Sequence, residues 1–306
     1  MLVRTGLAML GLGCVPSLFG AAAPGKKRKV LFFSKSSGFE HSVIQRHNGE
    51  LSFAEKLLQQ WGPEQNIEYT FSKDGSLFKP EYLAQFDAFH FHTTGVLTEA
   101  GTDKNPPMTP EGKQAFLDAI HGGKGFIGTH CAADTFHSPN HAHAETRYKD
   151  DAPGQTDPYI AMLGGEFIIH GSEPRLQTTD LIVNDPKFPG LEGVASPVEF
   201  TEEWYSLKDF APDLHVILSI DTSKLKGPCY QRHSYPGAWA RMHGKGRVFF
   251  TAIGDRVENW QNPFFLNHLA GGIRWSLGEV NASIPTNLAT ATPGYADIPP
   301  QQSKKI

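Results

Sequence analysis

The sequence predicts an α/β fold built on a mostly parallel sheet, and three observations predict it. Short apolar runs such as residues 29–34 are continuous rather than alternating, as expected of central parallel strands buried on both faces. These runs alternate with segments of helical period, the pattern that right-handed crossovers join into one sheet. Several of the runs end in polar residues, and open α/β sheets bind ligands outside the carboxyl ends of their strands.

The elements follow in order. Residues 29–34 (Lys-Val-Leu-Phe-Phe-Ser) are the first strand, and residues 36–41 (Ser-Ser-Gly-Phe-Glu-His) the turn after it. A helix is expected over 42–61, with Leu51, Ala54, Leu57 and Leu58 on one face. Residues 67–71 alternate as a second strand. A short helix over 80–86 leads to a third strand over 87–92, which closes on Thr93-Thr94-Gly95. Thr109 as N-cap and Pro110 at the first helical position open a helix carrying Phe116, Leu117 and Ile120. It stops at Gly122-Gly123.

The segment 122–134, Gly-Gly-Lys-Gly-Phe-Ile-Gly-Thr-His-Cys-Ala-Ala-Asp, is the most informative in the chain. A glycine turn feeds a fourth strand, which delivers His130, Cys131 and Asp134 to the sheet edge. Gly128 is expected to let the backbone bend there. The alternative reading is a buried strand ending in a polar turn. The second half is more irregular. A loop rich in His, Asp and Pro over 136–158 precedes a short helix over 159–163. Strands are expected at 176–183, 215–220, 237–242 and 247–253, and a closing helix at 264–277. Gly244-Lys245-Gly246-Arg247 reads as a hairpin turn, not a phosphate loop. No Walker motif, dinucleotide fingerprint or Gly-x-Ser-x-Gly elbow is present. The chain organises as one domain over 29–278 and an extended tail over 279–306.

Composition bounds the partners. With 306 residues, 39% hydrophobic and 20% charged, the chain is an ordinary globular protein; its net charge of -4 argues against nucleic acid or an anionic membrane. Residues 1–23 read as an export signal: Arg4, an apolar run over 7–19, then Ala21-Ala22-Ala23 for cleavage. The run is too short to span a bilayer, and Cys14 lacks a lipobox leucine three residues before it. An exported protein, periplasmic or extracellular, is expected. Cys131 and Cys229 remain after the signal and make no disulfide framework.

Fourteen histidines are the unusual entry in the composition. His41, His92 and His130 follow strands, as do Thr94, Asp134 and Asp255; His170 and the pair Glu202-Glu203 sit in similar turns. His130, Asp134, Glu203 and Asp255 are the candidate catalytic groups. His41, His92, Thr94, Trp204 and Tyr205 are candidates for binding substrate, with Trp260 a further ring able to stack on a sugar. His41, His130 and His170 could hold a divalent metal; the competing reading is a polar pocket binding hydroxyls. The run His137, His141, His143 looks like a metal motif but has no helix to fix it, and reads as a mobile loop near the pocket mouth. Cys131 is not expected to be a nucleophile, because His130 holds the elbow position.

The ordered set of motifs resembles the trehalose-utilisation, or ThuA-like, family. The matching segments are Gly38-Phe39-Glu40-His41, Thr93-Thr94-Gly95, residues 122–134, Leu163-Gly164-Gly165-Glu166-Phe167 with His170, Glu202-Glu203-Trp204-Tyr205, Gly237-Ala238-Trp239-Ala240 and residues 244–254. The resemblance implies a flavodoxin-like fold related to class I glutamine amidotransferases, with helices on both faces of the sheet. It places His130 where the amidotransferase cysteine would stand and Asp255 where its histidine would stand. Members of the family usually carry His at the position of Asp255; the histidine's role does not carry over, and a carboxylate there could be a base or a ligand. The resemblance further implies action on a disaccharide or its 3-keto derivative, by acid/base or metal-assisted chemistry. The alternative is a non-catalytic sugar-binding or complex-forming subunit.

Overall fold

The computed structural model describes residues 27–139, 144–152 and 154–301. The expected signal segment, and His141 and His143 of the histidine run, lie outside the described residues. Eleven strands are present among them. β1 (Arg28–Phe33), β2 (Ile67–Ser72), β3 (Ala88–Phe91), β4 (Gly125–Thr129) and β11 (Gly246–Thr251) pair in parallel in the order β2-β1-β3-β4-β11. The same sheet continues antiparallel through β10 (Tyr235–His243), β9 (His215–Ile220), β6 (Gln177–Val183) and β7 (Val198–Glu202). β5 (Glu166–His170) and β8 (Tyr205–Lys208) form a separate antiparallel pair. The core is therefore the α/β, flavodoxin-like sheet expected, and β10–β11 is the expected hairpin. Chain order reverses between β1 and β3, which makes the carboxyl ends of those two strands the topological switch point.

Helices cover both faces. On one, Phe32 meets Trp260 of α5 (Val257–Trp260), and α1 (Phe53–Trp61) and α6 (Pro263–Ser276) pack alongside. On the other, the next residue of β1, Phe33, meets Phe78 and Phe91, and Phe91 stacks on Phe116 of α3 (Pro110–His121) at 4.7 Å. α2 (Pro80–Leu83) and α4 (Pro158–Leu163) complete that layer. The strand period of two sends neighbouring phenylalanines to opposite layers. Thr109 caps α3 as expected, accepting from Gly112 N at 3.0 Å.

Three local differences matter. The helix expected over 42–61 is a single turn at Ser42–Ile44 followed by α1, because Asn48 and Gly49 adopt left-handed φ of 54° and 78° between them. A capping box of Ser52 and Glu55 restarts the helix. β7 and β8 were not legible as strands; β8 pairs only with β5, and its Tyr205, Ser206, Leu207 and Lys208 are all buried. The chain after Gly278 runs along β9: Val216 N donates to Asn287 Oδ1 at 2.6 Å, and the turn α7 (Leu288–Ala291) buries Leu288.

Candidate functional site

Four of the five parallel strands, β1, β3, β4 and β11, are followed by a group that turns toward one space. After β1, the loop to His41 is held by Ser37 N donating to Thr94 O at 2.8 Å and by Thr94 Oγ1 donating to Phe39 O at 2.7 Å. After β3 comes His92, after β4 His130, and after β11 Asp255. From the antiparallel half, the β7–β8 connection supplies Glu203, and Tyr205 opens β8. His130 sits at the elbow with φ of 44°, a left-handed conformation that costs a non-glycine residue about 1–2 kcal/mol. The bend lies at His130 itself and not at Gly128. That glycine is inside β4, where an added Cβ would come within 3.1–3.2 Å of Phe250 and Ala132. It is there for close packing.

His41, His130, Glu203 and Asp255 converge, each offering one atom within 4.8 Å of the others. His130 Nε2 lies 3.5 Å from Glu203 Oε2; His41 Nε2 lies 3.8 Å from Asp255 Oδ1, 4.0 Å from Glu203 Oε2 and 3.3 Å from Tyr205 Oη. All four side chains are nearly inaccessible. His130 Nδ1 faces Ala252 O at 3.0 Å and must donate to it, which fixes the ring with Nε2 toward the carboxylates. Burial alone would lower the His130 pKa, but the Glu203 carboxylate facing Nε2 and the charges of Glu202 and Asp255 outweigh it and raise it to about 9. Glu203 responds in kind: burial opposes ionisation, yet His130, with help from His170 and Arg175, holds it down to about 2. Burial, reinforced by the positive His130, pushes His41 down to about 3. Two imidazoles with ring centroids 5.1 Å apart are thus split at neutral pH, one charged and one neutral.

Arg175 closes the cluster. Its Nη1 donates to Glu203 Oε1 at 2.9 Å and lies 3.5 Å from Asp255 Oδ2. With about half its side chain exposed, it is the most accessible group touching the carboxylates, and nothing in the sequence pointed to it. Glu202 was marked by the sequence only as the neighbour of Glu203, with no role of its own. Its buried carboxylate accepts from Gly254 N, Glu203 N and Asn259 Nδ2, and so holds the Asp255 loop in place. Phe39, two-thirds exposed, stands edge-on to His41 at 5.1 Å and was missed as an exposed ring beside the site.

Other candidates fall elsewhere. His170 is at the rim: its Nδ1 donates to Gly171 O at 2.9 Å and lies 3.6 Å from Glu203 Oε1, outside the four converging groups. Asp134 belongs to an adjoining network, accepting from His137 Nε2 at 2.7 Å and Arg147 Nη1 at 3.2 Å. His137 Nδ1 meets Glu166 Oε1 at 2.8 Å, and Lys208 Nζ meets the other Glu166 oxygen at 3.0 Å. His137 is therefore a buried tether. Thr94 is wholly buried and positions the His41 loop instead of facing a ligand. Trp204 and Trp260 are also wholly buried, their indole N–H groups donating to Gln177 O and Gly254 O, so neither ring offers a face to a sugar. Tyr205 does reach the cluster, its ring 4.2 Å from that of His130. Cys131 and Cys229 are buried free thiols, and burial pushes the Cys131 thiol well up, away from the reactive thiolate.

A doubly wound sheet and a left-handed elbow residue after β4 fit the class I glutamine amidotransferase-like proteins, with imidazole in place of thiol at the elbow and a carboxylate, Asp255, after β11. Within that class the chain belongs to the ThuA family, described as trehalose utilisation, whose pattern it matches over residues 29–276. A ThuA-like protein of Parabacteroides merdae shares its fold with a TM-score of 0.55 and 18% identity, over 88% of this chain and 97% of that one. Another, of Bacteroides uniformis, gives 0.55 and 16%, over 84% and 94%. No curated protein sequence matches the chain significantly. Among the described residues no helix is long and apolar enough to cross a membrane.

Proposed function

We propose that this protein is a carbohydrate-active enzyme that acts on a disaccharide or its 3-keto derivative by acid/base chemistry at the His41–His130–Glu203–Asp255 cluster. The observation that carries the reading is the convergence of these four groups with opposite protonation of the two imidazoles. A passive sugar site has no need to bury an ion pair beside a neutral imidazole, since burial of charge is costly unless it is put to use. In a 3-keto sugar the proton beside the carbonyl is acidic. Asp255 is the base that takes it, and the His130 imidazolium, charged through Glu203, stabilises the enolate oxygen that develops. Collapse of the enolate then expels the substituent β to the carbonyl or returns a proton to carbon. Arg175 and His170, the exposed groups at the rim, swing aside to admit substrate, and Phe39 offers an aromatic face to the sugar ring.

The same four residues also supply two imidazole nitrogens and two carboxylates, a donor set that fits a divalent ion able to polarise a carbonyl. Arg175 and His130 already neutralise both carboxylates, which favours the metal-free reading. We also propose export, with residues 1–23 removed. Mass spectrometry of protein from the native host that shows an uncleaved first residue would overturn that part.

The test is incubation of the purified protein with trehalose and with 3-keto disaccharides, in chelator and with added divalent ions, following ultraviolet absorbance of enone products and sugar release. Turnover that survives chelation and is lost in Asp255→Asn supports the acid/base reading. Sugar binding without turnover under every condition would make the protein a binding subunit instead.

A further inference from the structure

We propose a second cation site directly behind His41, formed by His41 Nδ1, His92 Nε2 and the sulfur of Cys131, and suited to a thiophilic ion of the zinc(II) class. The three side chains each offer one ligand atom within 4.8 Å of the others, and all three are buried. The nitrogens have nothing else to do. His41 Nδ1 and His92 Nε2 are buried and have no hydrogen-bond partner, although buried ring nitrogens are nearly always satisfied.

The contacts on the far side of each ring are compatible with both nitrogens being bare lone pairs. Thr129 Oγ1 lies 3.3 Å from Phe91 O, 3.2 Å from His90 Nε2 and 3.0 Å from His92 Nδ1. With its one proton on Phe91 O it accepts from both rings, and in that arrangement His92 carries its proton on Nδ1. His41 Nε2 faces the Asp255 and Glu203 carboxylates and Tyr205 Oη, an oxygen-rich surrounding that favours the tautomer with the proton on Nε2 and Nδ1 bare. The thiol of Cys131 supplies the third ligand atom of the group, and its single proton can serve only one of two bare nitrogens. Two imidazole nitrogens on one tetrahedral zinc stand about 3.3 Å apart, given bond lengths of about 2.0–2.1 Å. The donors thus need only a small approach. Two nitrogens and a sulfur suit a zinc-like ion better than magnesium or calcium, which take oxygen. On binding, the thiol proton leaves to solvent and the thiolate becomes the third ligand.

This site is independent of the carboxylate cluster in front, because it uses the opposite nitrogen of His41. It is tested on the full chain by loading with zinc and, separately, with cobalt(II), reading metal content and the near-ultraviolet thiolate-to-cobalt charge-transfer band. We expect one equivalent of ion and that band in the wild type and in Glu203→Gln. In Cys131→Ala and Cys131→Ser both are expected to be lost, with an unchanged circular dichroism spectrum. A wild-type protein that binds cobalt stoichiometrically without the charge-transfer band, that binds none, or that keeps the same metal content in Cys131→Ala would overturn the proposal. If both cysteine variants fail to fold, the wild-type cobalt spectrum alone decides.

Discussion

His130 combines a strained backbone with a charged ring, and each property has its own test. The left-handed φ of 44° penalises any side chain with a Cβ. His130→Gly should therefore be more stable than His130→Ala by about 1 kcal/mol in urea unfolding, the reverse of the usual order at a strand end. The charge has a pH signature. His130 rises from 6.5 to about 9 on folding, so its contribution is complete below pH 6.5 and is lost as pH climbs through 9. His41 falls to about 3, so the unfolded chain gains a proton there that the folded one refuses, and stability drops as pH falls below 6.5. Urea unfolding across pH should show the alkaline loss flattened in His130→Gln and the acid loss flattened in His41→Gln. If the cluster acts as proposed, His130→Gln also lowers turnover by roughly 10²–10⁴-fold with an intact fold.

At the scale of elements, the site depends on two small tethers. The Glu202 carboxylate ties the end of β7 to the loop after β11, and His137 joins the turn after β4 to β5 and, through Glu166, to β8. Both nitrogens of His137 face carboxylate oxygens, so the ring is held charged, and its pKa is raised against the effect of burial by Asp134 and Glu166. His137→Leu removes the cation the two carboxylates share and leaves Asp134 to Arg147 and Glu166 to Lys208. It should cost about 3–5 kcal/mol in stability, and limited proteolysis should cut the 137–158 region faster. A variant as resistant as wild type would show that Arg147 and Lys208 suffice.

For the whole molecule, the single sheet carries both halves of the site. The parallel half supplies His41, His130 and Asp255; the antiparallel half supplies Glu203 and Tyr205. The tail packs on the antiparallel half, with Asn287 bonded to both the N–H and the carbonyl of Val216 and His215 Nδ1 donating to Pro285 O. Truncation after Gly278 should lower the melting temperature measurably and expose β9, read by dye binding to apolar surface. An unchanged melting curve would show that the tail is dispensable.

The sequence by itself determined the parallel core. Continuous apolar runs, glycine turns and the Thr109-Pro110 cap are local signals, and each specifies its element without help from distant residues. It also marked His130, which directly follows a buried strand and is placed at the sheet edge by it, and His41 and Asp255 in the loops that follow two more. Tertiary structure alone decided which polar groups meet. Glu203 pairs with His130 across 73 residues of chain, and Arg175 joins them from a loop that carries no pattern. Trp204 and Trp260, plausible sugar platforms by type, are core residues because the indole N–H of each finds a buried carbonyl. Asp134 lies four residues from His130, yet its hydrogen bonds go to His137 and Arg147. Side-chain direction, burial and protonation depend on contacts between segments far apart in the chain, and local periodicity holds no record of those contacts.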